Sequence, residues 1–527
     1  MSTNEAPRQS PRLLERLVDA FTVLFCLILL GSHISWLDEP WDNSHCGVNS
    51  GAYYGYACKG IDKFGYFDSR MQGPLLFHPS GEGLFIPYTN HPGTIYAVIY
   101  PCYRFLGKDE RALRLPMLFA LIANLLILRF GLARFAGPLV GSLATLGFAS
   151  LPMIFQFGKM VDIPMFCLAF FVPVVLAWLR YRREKTSASW WIFVGIAFIA
   201  GLLDWFCYFL CAAIFLDIVF SRVSIRSKLQ LALKAGLPFG FAFALVFGWL
   251  LWADGGWDRL SETLEGLFRA LGIRDPETET ELFIAKVGWA EWWAAIRTNA
   301  SYTLTIPFLV LSSVGLLAAV MVAELRTKIL RPGLMLLVAG LLPCVVFRTH
   351  ATMHEFWPLV SLAGFAFFFG VGVRALKDGA DQLRLRGDLL LLLAALVVGA
   401  LGVAEALEYR ELRKGQHDQK RAAEDMNVEF TASDIVFTSD SLSPSRFYRN
   451  FVTVPQVTNS TFMRHTLRNI QPHKGQFKRA FLLWNKSTTA DWQWLRAIPT
   501  VGELKEVSYG NSQYYQREFN IDGLWDY

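Results

Sequence analysis

The chain has 527 residues, 53% of them hydrophobic and 18% charged, with a formal net charge of +6 and a mean hydropathy of +0.33. That balance belongs to an integral membrane protein and excludes an ordinary soluble domain. The small net charge is gathered in clusters between apolar segments, so it reads as membrane topology and excludes a nucleic-acid partner.

Residues 1–16 carry Arg8, Arg12 and Arg16 and form the expected cytoplasmic N-terminus. No small-residue cleavage site follows, so the first apolar segment is expected to be a retained anchor. A span needs roughly 20 apolar residues. Eleven segments qualify: 17–37, 112–131, 136–156, 163–181, 189–204, 205–222, 231–252, 302–324, 332–348, 355–374 and 387–406. The loop after the first span, 38–111, is long and rich in carboxylates, aromatics, histidines and prolines. Within it, 91–107 is apolar enough for a short span. Laid along the outer surface as a juxtamembrane helix, it leaves every basic cluster inside: Arg129 and Arg134; Arg180 to Lys185; Arg222 to Lys228; Arg326 to Arg331; Arg374 to Arg386.

The fold expected is therefore all-α and polytopic, with a transmembrane unit over 17–407. Composition changes after it. Residues 408–427 are charged and helix-permitting, and 428–527 hold β-like runs such as 434–438 and 479–484. A small C-terminal α/β domain, 408–527, is expected outside the membrane. No internal repeat or P-loop appears.

With this topology the outer face collects the first loop, Asp162, Asp204, the 253–300 loop and the stretch from Arg348 to Glu355. Ionisable groups at span edges are costly and mark candidate sites. His350, His354 and Glu355 are too loosely spaced for a metal triad. Asp162, two residues before Pro164, also fits a helix cap. Five of the eight cysteines lie in apolar segments; Cys46 and Cys58 share the outer loop and are a candidate disulfide.

Three motifs carry a resemblance. Asp38-Glu39 follows the first span, Asn90-His91-Pro92-Gly93 precedes the juxtamembrane helix, and Val161-Asp162-Ile163-Pro164 follows the third span. Glu110 to Pro116 opens the second span in a similar way. In order and spacing, residues 15–375 resemble the GT-C superfamily of polyprenyl-phosphate-dependent glycosyltransferases. The closest branch is that of the lipid A aminoarabinose transferase and the protein O-mannosyltransferases. The sequence departs from that pattern twice. Where the family places its acid, this chain reads His45 to Ser50, and the second proline of the family's motif is Gly93.

The resemblance implies inverting transfer of a hexosyl or pentosyl group from a lipid-linked donor to a glycan, lipid or protein acceptor. It implies a multi-pass protein of the cytoplasmic membrane with an extracytoplasmic site, metal-independent and without a cofactor. Such chemistry needs one carboxylate to deprotonate the acceptor hydroxyl. Asp38 or Asp42 is expected in that role. Lys59, Arg70, His91 and Arg348 are candidate phosphate ligands. Glu39, His45, Asn49, Asp162, Asp204, His354 and Glu355 are candidates for holding sugar or acceptor groups. A glycolipid transporter or flippase is the alternative, but neither inverted repeats nor interrupted midplane helices are evident.

Overall fold

The computed structural model describes residues 11–42, 44–88, 91–254, 256–257, 287–413, 418–439, 444–455, 460–486 and 500–525. Most of the 253–300 loop lies outside them. Seven helices are long and apolar enough to cross a membrane: Leu13–Ile34, Glu110–Ala136, Pro164–Glu184, Ile225–Ala253, Ala323–Val346, Trp357–Gln382 and Gly387–Ala404. An eighth crossing results if Trp289–Ser301 and Ile306–Met321 form one bent span. Three further expected spans fall on the shorter apolar helices Pro138–Ala149, Ser187–Leu203 and Trp205–Val219.

Local chemistry explains the breaks. Gly137, at φ 91°, ends one helix, and Pro138 opens the next. The expected 136–156 span is interrupted at Ser150 and Leu151, before Pro152 starts a second short helix. Extended backbone at Asp204 separates Ser187–Leu203 from the turn at Trp205. Asp109 caps the helix beginning at Glu110 by accepting the Ala112 N–H at 2.9 Å.

Glycine sets the closest helix contact. A Cβ at Gly315 would lie 1.8 Å from the Phe368 carbonyl, and one at Gly372 would lie 2.0 Å from the Leu311 carbonyl. Ile306–Met321 can therefore press backbone to backbone on Leu362–Gln382, a packing mode that small residues allow within bilayers. At the far end of Pro164–Glu184 from Asp162, the Asp217 carboxylate receives Arg331 at 2.5 Å and Arg182 at 3.4 Å. Asp19 receives Arg129 at 2.6 Å. Several of the basic clusters are thus tied to acidic partners.

The first loop is an ordered platform. Its chain turns through His45–Gly47, a wide π-type helix Val48–Gly55 and an α-helix Tyr56–Phe64. A hairpin of β1 (Pro74–Phe77) and β2 (Phe85–Pro87) follows, then the helix Thr94–Leu106. At 13 residues this helix is too short to span a bilayer.

The C-terminal region is α/β. Its strands are β3 (Asp434–Thr438), β4 (Val452–Val454), β5 (Arg479–Asn485), β6 (Thr500–Tyr509) and β7 (Ser512–Phe519), in the order β4-β3-β5-β7-β6. β3 runs parallel to β4 and β5, while β7 is antiparallel to β5 and β6. Strand alternation divides its core. Ile435 and Phe437 pack with Met463 and Ile470, and with Leu76 and Leu84 of the first loop. Val436 packs on the other face with Met426 and Phe430. The outer loop therefore shares a hydrophobic core with the C-terminal sheet.

Candidate active site

Two buried carboxylates anchor the site. Asp162 lies between the short helix Pro152–Phe157 and the helix Pro164–Glu184. Its Oδ2 accepts from the Asn49 amide at 2.8 Å, and its Oδ1 accepts from the Tyr54 hydroxyl at 2.9 Å and from the Ile163 N–H at 2.7 Å. The wide turns of Val48–Gly55 bring Asn49 and Tyr54 to bear on one carboxylate. The Ser50 hydroxyl, on the same turn, accepts the Val161 N–H at 2.8 Å. Burial pushes the Asp162 carboxyl above its ordinary value, against the pull of these donors.

Asp204 is the second. Wholly buried, it accepts the Phe206 N–H at 3.2 Å and meets His91 Nδ1 at 2.7 Å. The His91 side chain is 32% exposed. Burial lowers its basicity, but the Asp204 carboxylate, aided by Asp162, overcomes this and raises the imidazole above its ordinary value. Beside it the Thr94 hydroxyl donates to the Leu202 carbonyl at 2.5 Å, fixing the start of Thr94–Leu106. A Cβ at Gly93 would lie 2.3 Å from the Met71 carbonyl and 2.7 Å from the Trp249 ring. The packing there leaves no room for a side chain at position 93.

Aromatic side chains join the two acids. The ring of Tyr53 lies 5.9 Å from that of Tyr88, and Tyr88 lies 6.1 Å from the His91 ring. Tyr54 lies 6.0 Å from Tyr96. His350, in the helix Arg348–Met353, is near enough for the His91 charge to add to burial in lowering its basicity. Asp162 can accept from a ligand hydroxyl, and the partly exposed His91, when protonated, can meet an anion.

The other expected site residues lie elsewhere or have other partners. Asp38 is 76% exposed and sits 4.0 Å from Arg111. Asp42 accepts the Ser44 N–H at 2.8 Å and also the Ser44 hydroxyl. The Glu39 carbonyl is held by Arg114, which also donates to the carbonyls of Trp36 and Leu37 at 2.9 Å each and stacks on Trp41. His45 belongs to the helix His45–Gly47, and its side chain lies outside the described residues. Lys59 donates to the Arg449 carbonyl at 2.6 Å. Arg70 donates to the carbonyls of Trp252 and Ala253, at 3.0 Å each. Arg348 stacks on Trp289 at 4.1 Å, and the His354 ring lies 5.3 Å from Phe356 beside Glu355. Cys46 and Cys58 are buried thiols that are not bonded to each other, so the candidate disulfide is not formed in this structure. Among the described residues, no three His, Cys, Asp or Glu side chains gather to hold a metal.

Sequence reasoning passed over Tyr54, Arg114, Lys159 and Arg446. The Lys159 ammonium lies 3.1 Å above the Trp36 ring, and burial brings it down to about 7. Arg114 stands inside the stretch Glu110 to Pro116 and Lys159 two residues before Val161, where an unexpected cation at a span edge was the available signal.

No family model matches the sequence, and no curated protein matches it. Solved structures do. Cupriavidus metallidurans ArnT bound to undecaprenyl phosphate superposes with a TM-score of 0.60 at 12% identity, covering 95% of this chain and 98% of that one. The apo Archaeoglobus fulgidus oligosaccharyltransferase gives 0.51 at 11% identity, over 87% of this chain and 69% of that one. The same archaeal enzyme with an inhibitory peptide and a dolichol-phosphate also gives 0.51 at 11%, over 88% and 69%.

Proposed function

We propose that this chain, which has the fold of the GT-C transferases, is an inverting glycosyltransferase that takes a hexosyl or pentosyl group from a polyprenyl-phosphate donor. One observation carries the proposal. A buried carboxylate, Asp162, is aimed by two side chains of the first loop, and its charge reaches an imidazole paired to a second buried carboxylate.

Asp162 is the base in this reading, in place of Asp38 or Asp42. It takes the acceptor hydroxyl proton as the acceptor oxygen forms its bond to the anomeric carbon. The bond from that carbon to the phosphate oxygen breaks, and polyprenyl phosphate leaves with the bonding electrons. Burial favours this role, because it moves the carboxyl towards neutral pH and makes its anion more basic. His91, charged and held by Asp204, meets the phosphate, and Arg348 at the edge of a span is a second cation for it. The acceptor is a glycan, a lipid or a protein hydroxyl. No divalent ion is required, because these cations supply the charge that a metal would bring to the leaving phosphate.

The sidedness belongs to the same proposal. Eleven crossings from a cytoplasmic N-terminus put the first loop, both carboxylates and the C-terminal sheet on the extracytoplasmic face of the cytoplasmic membrane. The test is direct. The purified full chain is incubated with a panel of polyprenyl-phosphate sugars, and release of polyprenyl phosphate is followed. Release that depends on both donor and Asp162 supports the proposal. Movement of an intact glycolipid across vesicles without release would replace it with the transporter.

A further inference from the structure

Arg446 lies in the short helix Pro444–Phe447 between β3 and β4 and is only 2% exposed. A buried guanidinium normally has a carboxylate. Among the described residues, Arg446 has none. Its Nη2 donates to the Leu75 carbonyl at 2.7 Å, its Cζ lies 4.1 Å over the Tyr56 ring, and its buried Nε has no hydrogen-bond partner.

One neutral group beside it shares that condition. The Tyr56 hydroxyl, on the ring under the guanidinium, is buried without a partner. A cation and a hydroxyl thus fall together at the seam between the first loop and the C-terminal region. The seam is firmly held. Lys59 donates to the carbonyls of Phe447 and Arg449, and the Tyr448 hydroxyl donates to Glu110 at 2.6 Å while accepting the Trp41 N–H at 2.9 Å. Arg446 is therefore fixed in place by its neighbours. It also borders the candidate site, because the Tyr56 ring beneath it directly follows the turns of Val48–Gly55 that carry Asn49 and Tyr54.

We propose that Arg446, with Tyr56, forms an anion subsite that receives a phosphate or carboxylate group of a substrate beside the Asp162 site. An oxyanion would neutralise the guanidinium and satisfy the Nε and hydroxyl donors together. This rests on the proposed transferase for the identity of the substrate. Anion binding itself is measurable without any turnover.

The experiment is a thermal titration of the full chain in phosphatidylcholine nanodiscs. Its probes are undecaprenyl phosphate, inorganic phosphate, and chloride at matched ionic strength as the control. A ligand that binds the folded state raises the unfolding midpoint. The parent midpoint should rise with a phosphate probe and not with chloride. Arg446→Met should weaken that response by roughly tenfold or more, the loss expected for a charged hydrogen bond. Its midpoint without ligand should match or exceed the parent's, since an unpaired buried charge has gone. A response to undecaprenyl phosphate that Arg446→Met weakens identifies the carrier phosphate. A weakened response to inorganic phosphate alone identifies a charged group of the acceptor. Absence of any phosphate response in the parent overturns the proposal, as does an undiminished response in Arg446→Met. Should that variant not fold, Tyr56→Phe is held to the same comparison. A shift that persists while no donor sugar is ever transferred would leave the subsite standing and sink the transferase.

Discussion

Asp162→Asn separates chemistry from folding with one atom. The carboxylate accepts three hydrogen bonds, from Asn49, Tyr54 and Ile163. An amide that keeps its oxygen in the Oδ1 place retains the last two. Its nitrogen then faces the Asn49 amide nitrogen, a clash of donors that Asn49 relieves by turning its own carbonyl inward. The structural cost is that of about one hydrogen bond, ~1 kcal/mol. The chemical cost is larger, because loss of a general base lowers rates by roughly 10²–10⁴, about 3–5 kcal/mol of barrier. Single-turnover release of polyprenyl phosphate is the assay, with the unfolding midpoint as the control. A second signature follows from His91, whose basicity Asp162 helps to raise. In the variant, the alkaline limb of donor binding moves to lower pH. Asn49→Asp combined with Asp162→Asn returns a carboxylate to the same hydrogen-bonded pair, at the position where the resembling family carries its acid. Partial recovery is expected. Turnover by Asp162→Asn within a few-fold of the parent, with a large loss in Asp38→Asn, would refute the assignment.

Other predictions follow from the same geometry. Because Asp162 must be ionised and its carboxyl is raised, turnover falls as pH drops through a value above the ordinary 3.8; because His91 must be charged, it falls as pH rises through a value above 6.5. A bell-shaped profile of kcat/KM checks both limbs, and His91→Gln should remove the alkaline one. Arg348→Lys should weaken use of the lipid-linked donor by roughly 1–3 kcal/mol, the scale of a charged hydrogen bond, since an ammonium cannot reproduce the planar fork; an unchanged KM for donor would make Arg348 an interfacial residue. Activity should survive EDTA, and loss restored by manganese or magnesium would give the acids a ligand role. Val501→Cys, at an exposed position of β6, should react with an impermeant thiol reagent in intact cells above the labelling of the parent, and reaction only after lysis would reverse the topology.

Much of the fold was legible because bilayer chemistry writes itself into composition. Long apolar helices, a short helix within 91–107 and the strands at 434–438 and 479–484 all follow from periodicity, hydropathy and Pro or Gly punctuation. The breaks were less so. The interruption at Ser150 and Leu151 hides inside an apolar run, because hydropathy averages over a bend that Pro152 and helix packing decide. The contribution of Leu76 and Leu84 to the C-terminal core was invisible for another reason: it pairs residues more than 350 positions apart, and no local pattern reports such contacts.

The site divides along the same line. Asp162, Asp204 and His91 were legible as ionisable groups at the edges of apolar sequence. Their ranking was not. Asp38 and Asp162 look alike in sequence, each beside a span, and only the folded chain leaves one 76% exposed and buries the other under Asn49 and Tyr54. Burial raises the Asp162 carboxyl above its ordinary value, so the property that separates the two is tertiary. The same reasoning accounts for the asparagine at position 49. Were it an aspartate, two carboxylates would face each other at hydrogen-bond distance, and one would have to hold a proton. An amide there donates to Asp162 and favours its ionised form. If Asp162 is the base, as proposed, a neutral donor at position 49 suits that role.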